Sequence, residues 1–332
     1  LCVALDKEVN DYYLQREYNV IKILIENRAD MNSKDHDGDT PLHIACIYGN
    51  INFVSEYIEI YKDNLNLNIK NNEGLTPLML ACKNSHVSIV KILLDNDANF
   101  QEKDLDGHTA FYNCLTNYRT GFTGTGSVNL ERSRLKENKI SILKQLIEKG
   151  ADINVKSHTG RTPLHKIFEL YNASGGGTPH IDTLLEILKE IFIKNEEFDI
   201  NIKNNLGISP FHYLCKKNRN ENIIKLLLDT GVVNVNITDN NMLTPLHYLC
   251  KYSYNNSIAK LLLDNGASLD SETDFEELDG YGNMVNIRKK PLEYLIENAN
   301  AGFQFYNQER EELEKHIRVK AIKKYKEDEI GQ

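Results

Sequence analysis

The sequence predicts an all-α solenoid of helix-turn-helix units joined by short β-hairpin-like loops. Three observations predict this fold class: a Thr-Pro-Leu-His tetrad recurs along the chain, a glycine precedes most copies at one distance, and apolar residues at helical spacing follow them. A chain of 332 residues would otherwise be expected to split into two or three domains. A periodic chain instead stacks small repeats, each in contact only with its neighbours.

The tetrad first occurs at residues 40–43 and recurs, in full or in degenerate form, six more times. Its copies begin at Thr40, Thr76, Thr109, Thr162, Ser209, Thr244 and, most weakly, Lys290. The intervals between them are 36, 33, 53, 47, 35 and 46 residues. A repeat of 33 residues with insertions of different lengths accounts for all six intervals.

Each copy carries the signals of a turn followed by two helices. Glycine stands two residues before the Thr or Ser in five copies, at Gly38, Gly74, Gly107, Gly160 and Gly207. A turn needs such a residue where φ is positive, Thr or Ser then caps a helix, and Pro suits the first helical position. Apolar residues at helical spacing, as at 87–94 and 223–228, predict a second helix, and Gly150, Gly231 and Gly266 suit its C-terminal end.

This pattern of turn, two helices and extended arm closely resembles the ankyrin repeat family. The tetrad and a Gly-Ala-Asp-x-Asn segment, here at residues 150–154, occur nearly verbatim, and the resemblance covers roughly residues 18–300. It implies a curved ankyrin-repeat solenoid whose hairpin tips project from one edge, with the tetrad histidines hydrogen-bonded to turn backbone and hydroxyl groups. The sequence departs from the family at Met242, in place of the turn glycine, and at Ala110, in place of the proline.

The spacing predicts about eight repeats. We expect a degenerate N-terminal repeat at 1–35, six clear repeats over 36–285, and a degenerate C-terminal repeat with a charged capping helix at 286–332. The glycine-rich insertions near 117–138 and 172–181 are expected to be flexible links, because they lack the flanking strand and helix of a phosphate-binding loop. The insertion at 270–286 is expected to be a solvated acidic loop, because its carboxylates lack calcium-loop spacing.

Composition excludes several classes of protein. The 39 basic and 48 acidic side chains give a net charge of −9, which argues against nucleic acid as a partner. No stretch approaches the ~20 apolar residues of a membrane span, and charges interrupt the first thirty positions, unlike a secretory signal. Six cysteines favour a reducing compartment. We therefore expect a monomeric, cytoplasmic protein, with the nucleus also possible, and the start at Leu1 leaves open that it is a piece of a longer one.

The histidines and cysteines are predicted to hold no metal and no cofactor. They occupy fixed positions of the repeat, the histidines at His43, His165, His212 and His247 and the cysteines at Cys46, Cys82, Cys215 and Cys250. Stacked helices lie about 8–10 Å apart, whereas zinc ligands all lie about 2.0–2.3 Å from one ion. The sequence also lacks a Gly-x-Ser-x-Gly elbow, a His-Glu-x-x-His helix, a kinase signature and a dinucleotide-binding fingerprint. We therefore expect no catalytic residues and no enzyme activity.

The variable positions of the tips and first helices are the candidate partner contacts, because in the resembling family they line a continuous concave face. The candidates are His36, Asp37, Asp39, Tyr48, Glu73, Leu75, Lys83, His108, Arg161, Leu206, Ile208, Lys216, Asn240, Leu243, Lys251 and Tyr252. The four aliphatic residues among them stand on predicted turns, where each either contacts a partner or packs on the neighbouring tip. Acidic tips near the N-terminal end and lysines on the helices favour a partner of mixed charge.

These expectations favour a non-catalytic interaction scaffold that binds an unidentified partner protein along its concave face. One alternative is the targeting arm of a larger enzyme whose catalytic domain lies outside this chain. Another is the binding of a small ligand or an oligonucleotide in the concave groove, against which the net charge argues.

Overall fold

The structure is a computed structural model of the 332-residue chain. It describes residues 30–61, 66–116, 128–173, 199–217, 221–252, 255–278, 284–300 and 311–317. The chain divides into two compact units, the first formed by Leu1–Lys166 and Asp182–Phe198 and the second by Ile167–Ile181 and Asp199–Gln332. Most of the predicted repeat at 1–35, the first half of the insertion near 117–138 and nearly all of the insertion near 172–181 lie outside the described residues.

The first unit contains helix pairs that follow the tetrads. They are α1 (Pro41–Tyr48) with α2 (Ile51–Ile60), α3 (Pro77–Lys83) with α4 (Val87–Asp95), and α5 (Ala110–Cys114) with α6 (Val128–Glu148). The first helix of each pair packs on the first helix of the next, α1 on α3 and α3 on α5. The second helices pack in the same order, α2 on α4 and α4 on α6, so the pairs stack as predicted.

The first helices begin where the sequence predicts. Thr40, Thr76 and Thr109 are extended N-cap residues with φ between −83° and −89°, and a helix starts directly after each. Pro41 and Pro77 hold the first helical position, where a missing N–H leaves no hydrogen bond unmade. Local chemistry of the tetrad therefore sets these helix starts.

Helix α6 differs from the expected flexible link between the helices of its repeat. It begins at Val128, so the second half of the predicted insertion near 117–138 is helical. Its C-terminal part buries Ile142, Leu143 and Leu146 in the unit, whereas Leu135 is half exposed. The insertion thus extends the second helix at its N-terminal end.

The second unit repeats the same arrangement. Helix α7 (Pro163–Ala173) begins in the first unit and ends in the second, followed by α8 (Pro210–Lys217), α9 (Glu221–Asp229), α10 (Pro245–Tyr252), α11 (Asn256–Asp264) and α12 (Pro291–Asn300). Helix α8 packs on α10, α10 packs on α12, and α9 packs on α11. Residues 311–317 of the predicted capping helix are helical.

The acidic insertion at 270–286 contains a strand pair, which corrects the expectation of a solvated loop. Strand β1 (Phe275–Leu278) pairs antiparallel with β2 (Met284–Ile287), with Phe275 opposite Ile287. Asp270 forms an ion pair with Lys290 at 3.2 Å, and Asp274 forms one with Arg288 at 3.7 Å. Basic residues beyond β2 therefore offset part of the acidic charge of this hairpin.

Large side chains of the helices form the core. Phe53, Phe111, Phe168 and Phe211 are fully buried. The position held by the small Ala45 and Ala81 in the first repeats is taken by larger residues later, and these are buried as well: Cys114, Ile167, Leu214 and Leu249. Among the helices that the structure describes, none combines the length and apolar character of a membrane span.

Candidate partner-binding surface

Backbone hydrogen bonds join the hairpin tips of successive repeats. In the first unit the donors and acceptors are Asn72 N to Asp37 O (3.0 Å), Leu105 N to Glu73 O (3.1 Å) and His158 N to Asp106 O (2.8 Å). In the second unit they are Asn240 N to Leu206 O and Asp274 N to Asn241 O, both at 3.1 Å. Within each unit, these tips are therefore held together by their main chains. Two side chains add to the joints, since Asn72 Nδ2 donates to the His36 carbonyl and Asn240 Nδ2 to the Asn205 carbonyl, both at 3.0 Å.

A short polar side chain organises each tip from within. In one tip, Asn71 Oδ1 accepts hydrogen bonds from the backbone N–H groups of Glu73 (3.0 Å) and Leu75 (2.9 Å). Asp239 Oδ1 accepts in the same way from Asn241 (2.9 Å) and Leu243 (2.8 Å). Such bonds fix the turn without a neighbouring repeat.

The sequence analysis missed these turn residues, although the sequence contains a signal for them. Asp, Asn or Ser stands five residues before the tetrad in every clear repeat, at Asp35, Asn71, Asp104, Ser157, Asn204 and Asp239. All three residue types have a short side chain with an oxygen that can accept from nearby backbone N–H groups. Their recurrence at one offset identifies the start of each tip.

The tetrad histidines connect the tips to the helices. The Thr40 backbone N–H donates to Nδ1 of His43 (3.1 Å), so Nδ1 is the acceptor and Nε2 carries the proton that it donates to the Leu75 carbonyl (3.1 Å). His212 donates likewise to the Leu243 carbonyl at 3.0 Å and His247 to the Lys289 carbonyl at 3.1 Å. The hydrogen bonding implied by the family resemblance is thus confirmed.

Burial keeps these histidines neutral. It lowers the pKa of His43 and of His212 to about 4, and it lowers the pKa of His247 as well. Neutral imidazole is the form that the turn requires, because Nδ1 must accept a hydrogen bond. The histidines are therefore structural residues near neutral pH.

Three of the candidate contact residues lie in the interior. Leu75 and Leu243 are each only 3% exposed, and Asp39 is also buried. Each leucine is the last residue of its tip, directly before the tetrad. Its carbonyl oxygen accepts a hydrogen bond from the tetrad histidine of the preceding repeat, His43 for Leu75 and His212 for Leu243. Of the two alternatives for these leucines, the burial agrees with packing in the stack, and the prediction that Leu75 and Leu243 contact a partner was wrong.

Asp39 belongs to the framework in the same way. Its Oδ1 accepts a hydrogen bond from Asn71 Nδ2 at 2.8 Å, which connects it to the next tip. Burial raises the pKa of Asp39, and the hydrogen bond from Asn71 partly offsets this. The expectation that Asp39 is an exposed acidic contact was also wrong.

The other candidates reach the surface. In the first unit, His36, Asp37 and Glu73 are exposed, and Tyr48, Lys83, His108 and Arg161 are partly exposed. In the second unit, Leu206 is 63% exposed and Tyr252 45% exposed, Asn240 is exposed, and Ile208, Lys216 and Lys251 are partly exposed. Two exposed apolar tip residues were not among the predicted contacts, Leu105 at 65% and Met242 at 46%.

His108 is held in place by two neighbours. Its Nδ1 lies 3.5 Å from Asp104 Oδ2, and its ring stacks on Tyr112 with centroids 3.9 Å apart. Burial would raise the pKa of Asp104, but hydrogen bonds from His108 and Asn113 outweigh it and lower that pKa. The Asp104 carboxylate and the Tyr112 ring therefore orient the His108 side chain.

The thiols in the described part of the chain do not form a reactive or metal-binding group. Five cysteines are described, Cys46, Cys82, Cys114, Cys215 and Cys250, and all are buried and outside any disulfide bond. Burial raises the pKa of the Cys114 and Cys250 thiols to about 12, so they are neutral near pH 7. Within the described ranges, no three His, Cys, Asp or Glu side chains lie together as metal ligands would.

The stacked helix pairs and the bonded tips define a repeat protein of ankyrin type. A family model for ankyrin repeats matches residues 12–117 and 180–273, which is more than half of the chain. The chain belongs to the ankyrin repeat family.

Two curated proteins are similar to parts of the chain. Protein VAPYRIN-LIKE of Medicago truncatula is 34% identical over 153 residues, which cover 44% of this chain and 32% of that protein. A putative ankyrin repeat protein of fowlpox virus (strain NVSL) is 51% identical over 39 residues, covering 12% of this chain and 28% of that protein. The matched stretches span about a third or less of these relatives.

A solved structure agrees with the fold. The ankyrin repeat domain of Bcl-3, described as a unique member of the IkappaB protein family, matches with a TM-score of 0.54 and 17% sequence identity. The match covers 79% of this chain and 96% of that domain. At this identity the similarity shows the all-α ankyrin repeat fold alone.

Proposed function

We propose that this chain is a non-catalytic interaction scaffold that binds a partner protein through the exposed side chains of its tips and first helices. One observation carries the proposal. The backbone of the tips is fixed by turn side chains and by hydrogen bonds between neighbouring tips, while side chains of varied chemistry on the same tips are exposed. Asp37, Glu73 and Leu206 are examples. Ankyrin repeat domains generally mediate protein–protein interaction.

The placement of the potentially reactive side chains supports the absence of catalysis. The ankyrin repeat fold is typically non-catalytic, and a catalytic site needs unequal, convergent groups open to a substrate. Here His43, His212 and His247 are bound to turn backbone, and the described thiols are buried. The described cysteines form no disulfide bonds, which also supports a reducing, intracellular site of action, where we propose that the chain acts as a monomer.

Affinity capture from an extract of cells that express the chain tests the proposal. The tip variant Asp37→Ala/Glu73→Ala/Leu206→Ala removes two acids and one aliphatic group from exposed tips of both units. We expect at least one protein that is captured by the wild type to be lost with this variant. Circular dichroism and the thermal midpoint verify that the variant is folded.

The matched control removes the same types of side chain from exposed positions outside the tips, Glu59→Ala/Asp229→Ala/Val232→Ala. It should retain every captured protein. The proposal is wrong if the tip variant captures the same proteins as the wild type, or if the control loses the same ones as the tip variant.

A further inference from the structure

Lysines and tyrosines alternate across the first helices of the second unit. Lys216 Nζ lies 4.7 Å from the centroid of the Tyr252 ring, and Lys251 Nζ lies 5.4 Å from the same centroid. Lys251 Nζ is also 5.2 Å from the Tyr294 centroid, which Lys289 Nζ approaches to 5.5 Å. These five residues form a continuous series of cation–π contacts, the lysine–tyrosine ladder.

The ladder crosses three helices that pack on one another. Lys216 lies near the end of α8, Lys251 and Tyr252 lie at the end of α10, and Tyr294 lies in α12, with Lys289 just before it. The packing of α8 on α10 and of α10 on α12 brings them together. The surface therefore depends on the stacking of repeats and not on any single repeat.

The two rings have different roles in the ladder. Tyr294 is 6% exposed and packs into the unit, whereas Tyr252 is 45% exposed and rests on Tyr248, with ring centroids 5.6 Å apart. The negative faces of both rings attract ammonium groups and offset part of the repulsion between the lysines. The ladder thus combines fixed positive charge with an exposed aromatic side chain.

A carboxylate already binds at one end of the ladder. Glu297, in α12, places its Oε1 2.6 Å from Nζ of Lys289, which lies just before the helix. This contact is a charge-assisted hydrogen bond. At the other end, Lys216 and Lys251 both approach the Tyr252 ring, with Nζ atoms 4.7 Å and 5.4 Å from its centroid. The two ammonium groups are therefore no further apart than the length of three residues of an extended peptide, at about 3.4 Å per residue. Side-chain carboxylates along an extended chain can therefore meet both.

We propose that the lysine–tyrosine ladder binds an acidic, Asp- and Glu-rich segment of the partner protein. The proposal rests on the proposed function and names the chemistry of the partner at this surface. A peptide fits better than a single small anion because the cationic groups spread over three helices. It fits better than nucleic acid because the chain carries a net charge of −9, which repels a long polyanion beyond the ladder.

Fluorescence anisotropy with defined peptides tests the proposal on the full chain. The probe is a fluorescein-labelled peptide of alternating Glu and Gly, about 12 residues long so that it crosses two helix spacings of about 8–10 Å each. We expect saturable binding that weakens as salt is raised. The matching peptide of alternating Gln and Gly should not bind.

Substitutions in the ladder assign the binding to these residues. Lys216→Gln/Lys251→Gln should weaken binding of the Glu-Gly peptide at least tenfold, and Tyr252→Leu should weaken it severalfold while every charge is kept. The control Lys91→Gln/Lys225→Gln removes two exposed lysines from second helices and should change the affinity less than twofold. Thermal midpoints verify that all variants are folded.

Three results would overturn the proposal. They are absence of binding to the wild type, equal weakening by the control, and tighter, ladder-dependent binding of single-stranded oligo-dT of equal charge. None of them affects the capture experiment with the tip variant, which alters no ladder residue. Failure of the acidic-peptide proposal is therefore distinguishable from failure of the proposed function.

Discussion

Nε2 of His43 lies 3.1 Å from the carbonyl oxygen of Leu75, which is 32 residues further along the chain. The first residue belongs to the helix start of one repeat and the second to the tip of the next. The same bond joins His212 to Leu243 at 3.0 Å. Because each imidazole must stay neutral to make its bonds, the joints between repeats depend on pH.

We expect the free energy of unfolding to fall as the pH is lowered from 6.5 toward 4. Burial lowers the pKa of His43 and His212 to about 4 in the folded state, against about 6.5 when unfolded. The unfolded chain then binds more protons, so each histidine costs up to about 1.4 kcal/mol per pH unit in this window. Urea unfolding at pH 7.5 and pH 5.5 measures the effect.

Two variants control the pH experiment. His43→Gln removes one titrating group and should reduce the dependence, whereas His36→Gln alters a fully exposed histidine and should leave it unchanged. Stability that stays constant or rises between pH 6.5 and 5.5 would contradict the argument.

Gly38→Ala should destabilise the protein by about 2 kcal/mol or more. Gly38 has φ +78°, and a Cβ there would lie 2.8 Å from the backbone nitrogen of Asn72, in the next tip. Gly231→Ala is the matched control, because its φ is +71° but a Cβ would meet nothing within 4 Å. Chemical denaturation should show the smaller loss for Gly231→Ala, and equal losses would mean that the contact with the next tip has no effect.

The local part of the fold could be predicted from sequence because each signal acts within a few residues. Thr40 and Pro41 set a helix start by themselves, and Gly38 permits its turn by itself. The exposure of a tip residue, in contrast, depends on the adjacent repeat. Leu75 and Leu206 both look like apolar turn residues, yet their positions within the tip differ by two, since Leu75 directly precedes its tetrad and Leu206 stands three residues before its tetrad. Leu75 is buried and its carbonyl oxygen accepts a hydrogen bond from a histidine of the preceding repeat, whereas Leu206 is exposed.

Pairings between distant residues also escaped the sequence analysis. The insertion that holds β1 and β2 is acidic, and the basic partners of Asp270 and Asp274 follow β2, so composition alone indicated a loop. Lys216 and Tyr252 were both predicted contacts, but their mutual approach depends on how closely α8 and α10 pack. The repeat period shows that such residues lie in corresponding parts of the first helices. The packing of those helices determines which of the residues come into contact.

Met242→Gly should stabilise the protein by about 0.5–1 kcal/mol. Met242 takes the place of the turn glycine and keeps its left-handed conformation, with φ +60°, which costs a residue with a Cβ about 1–2 kcal/mol. The greater freedom of glycine in the unfolded chain offsets part of the gain. Met242→Ala keeps the Cβ and should change the thermal midpoint little. A lower midpoint for Met242→Gly than for Met242→Ala would show that the backbone there is not strained.

Leu75→Ala and Leu206→Ala should have opposite consequences for folding and for binding. Leu75 is 3% exposed, so its truncation leaves a cavity and should cost about 2–4 kcal/mol of unfolding free energy. Leu206 is 63% exposed, and its truncation should change stability by less than about 0.5 kcal/mol while removing an aliphatic side chain from the proposed contact surface. Urea denaturation of both variants measures the two free energies, and capture with Leu206→Ala measures the effect on binding. Equal losses of stability would contradict the different burial of the two leucine side chains, since only Leu75 should stabilise the stack.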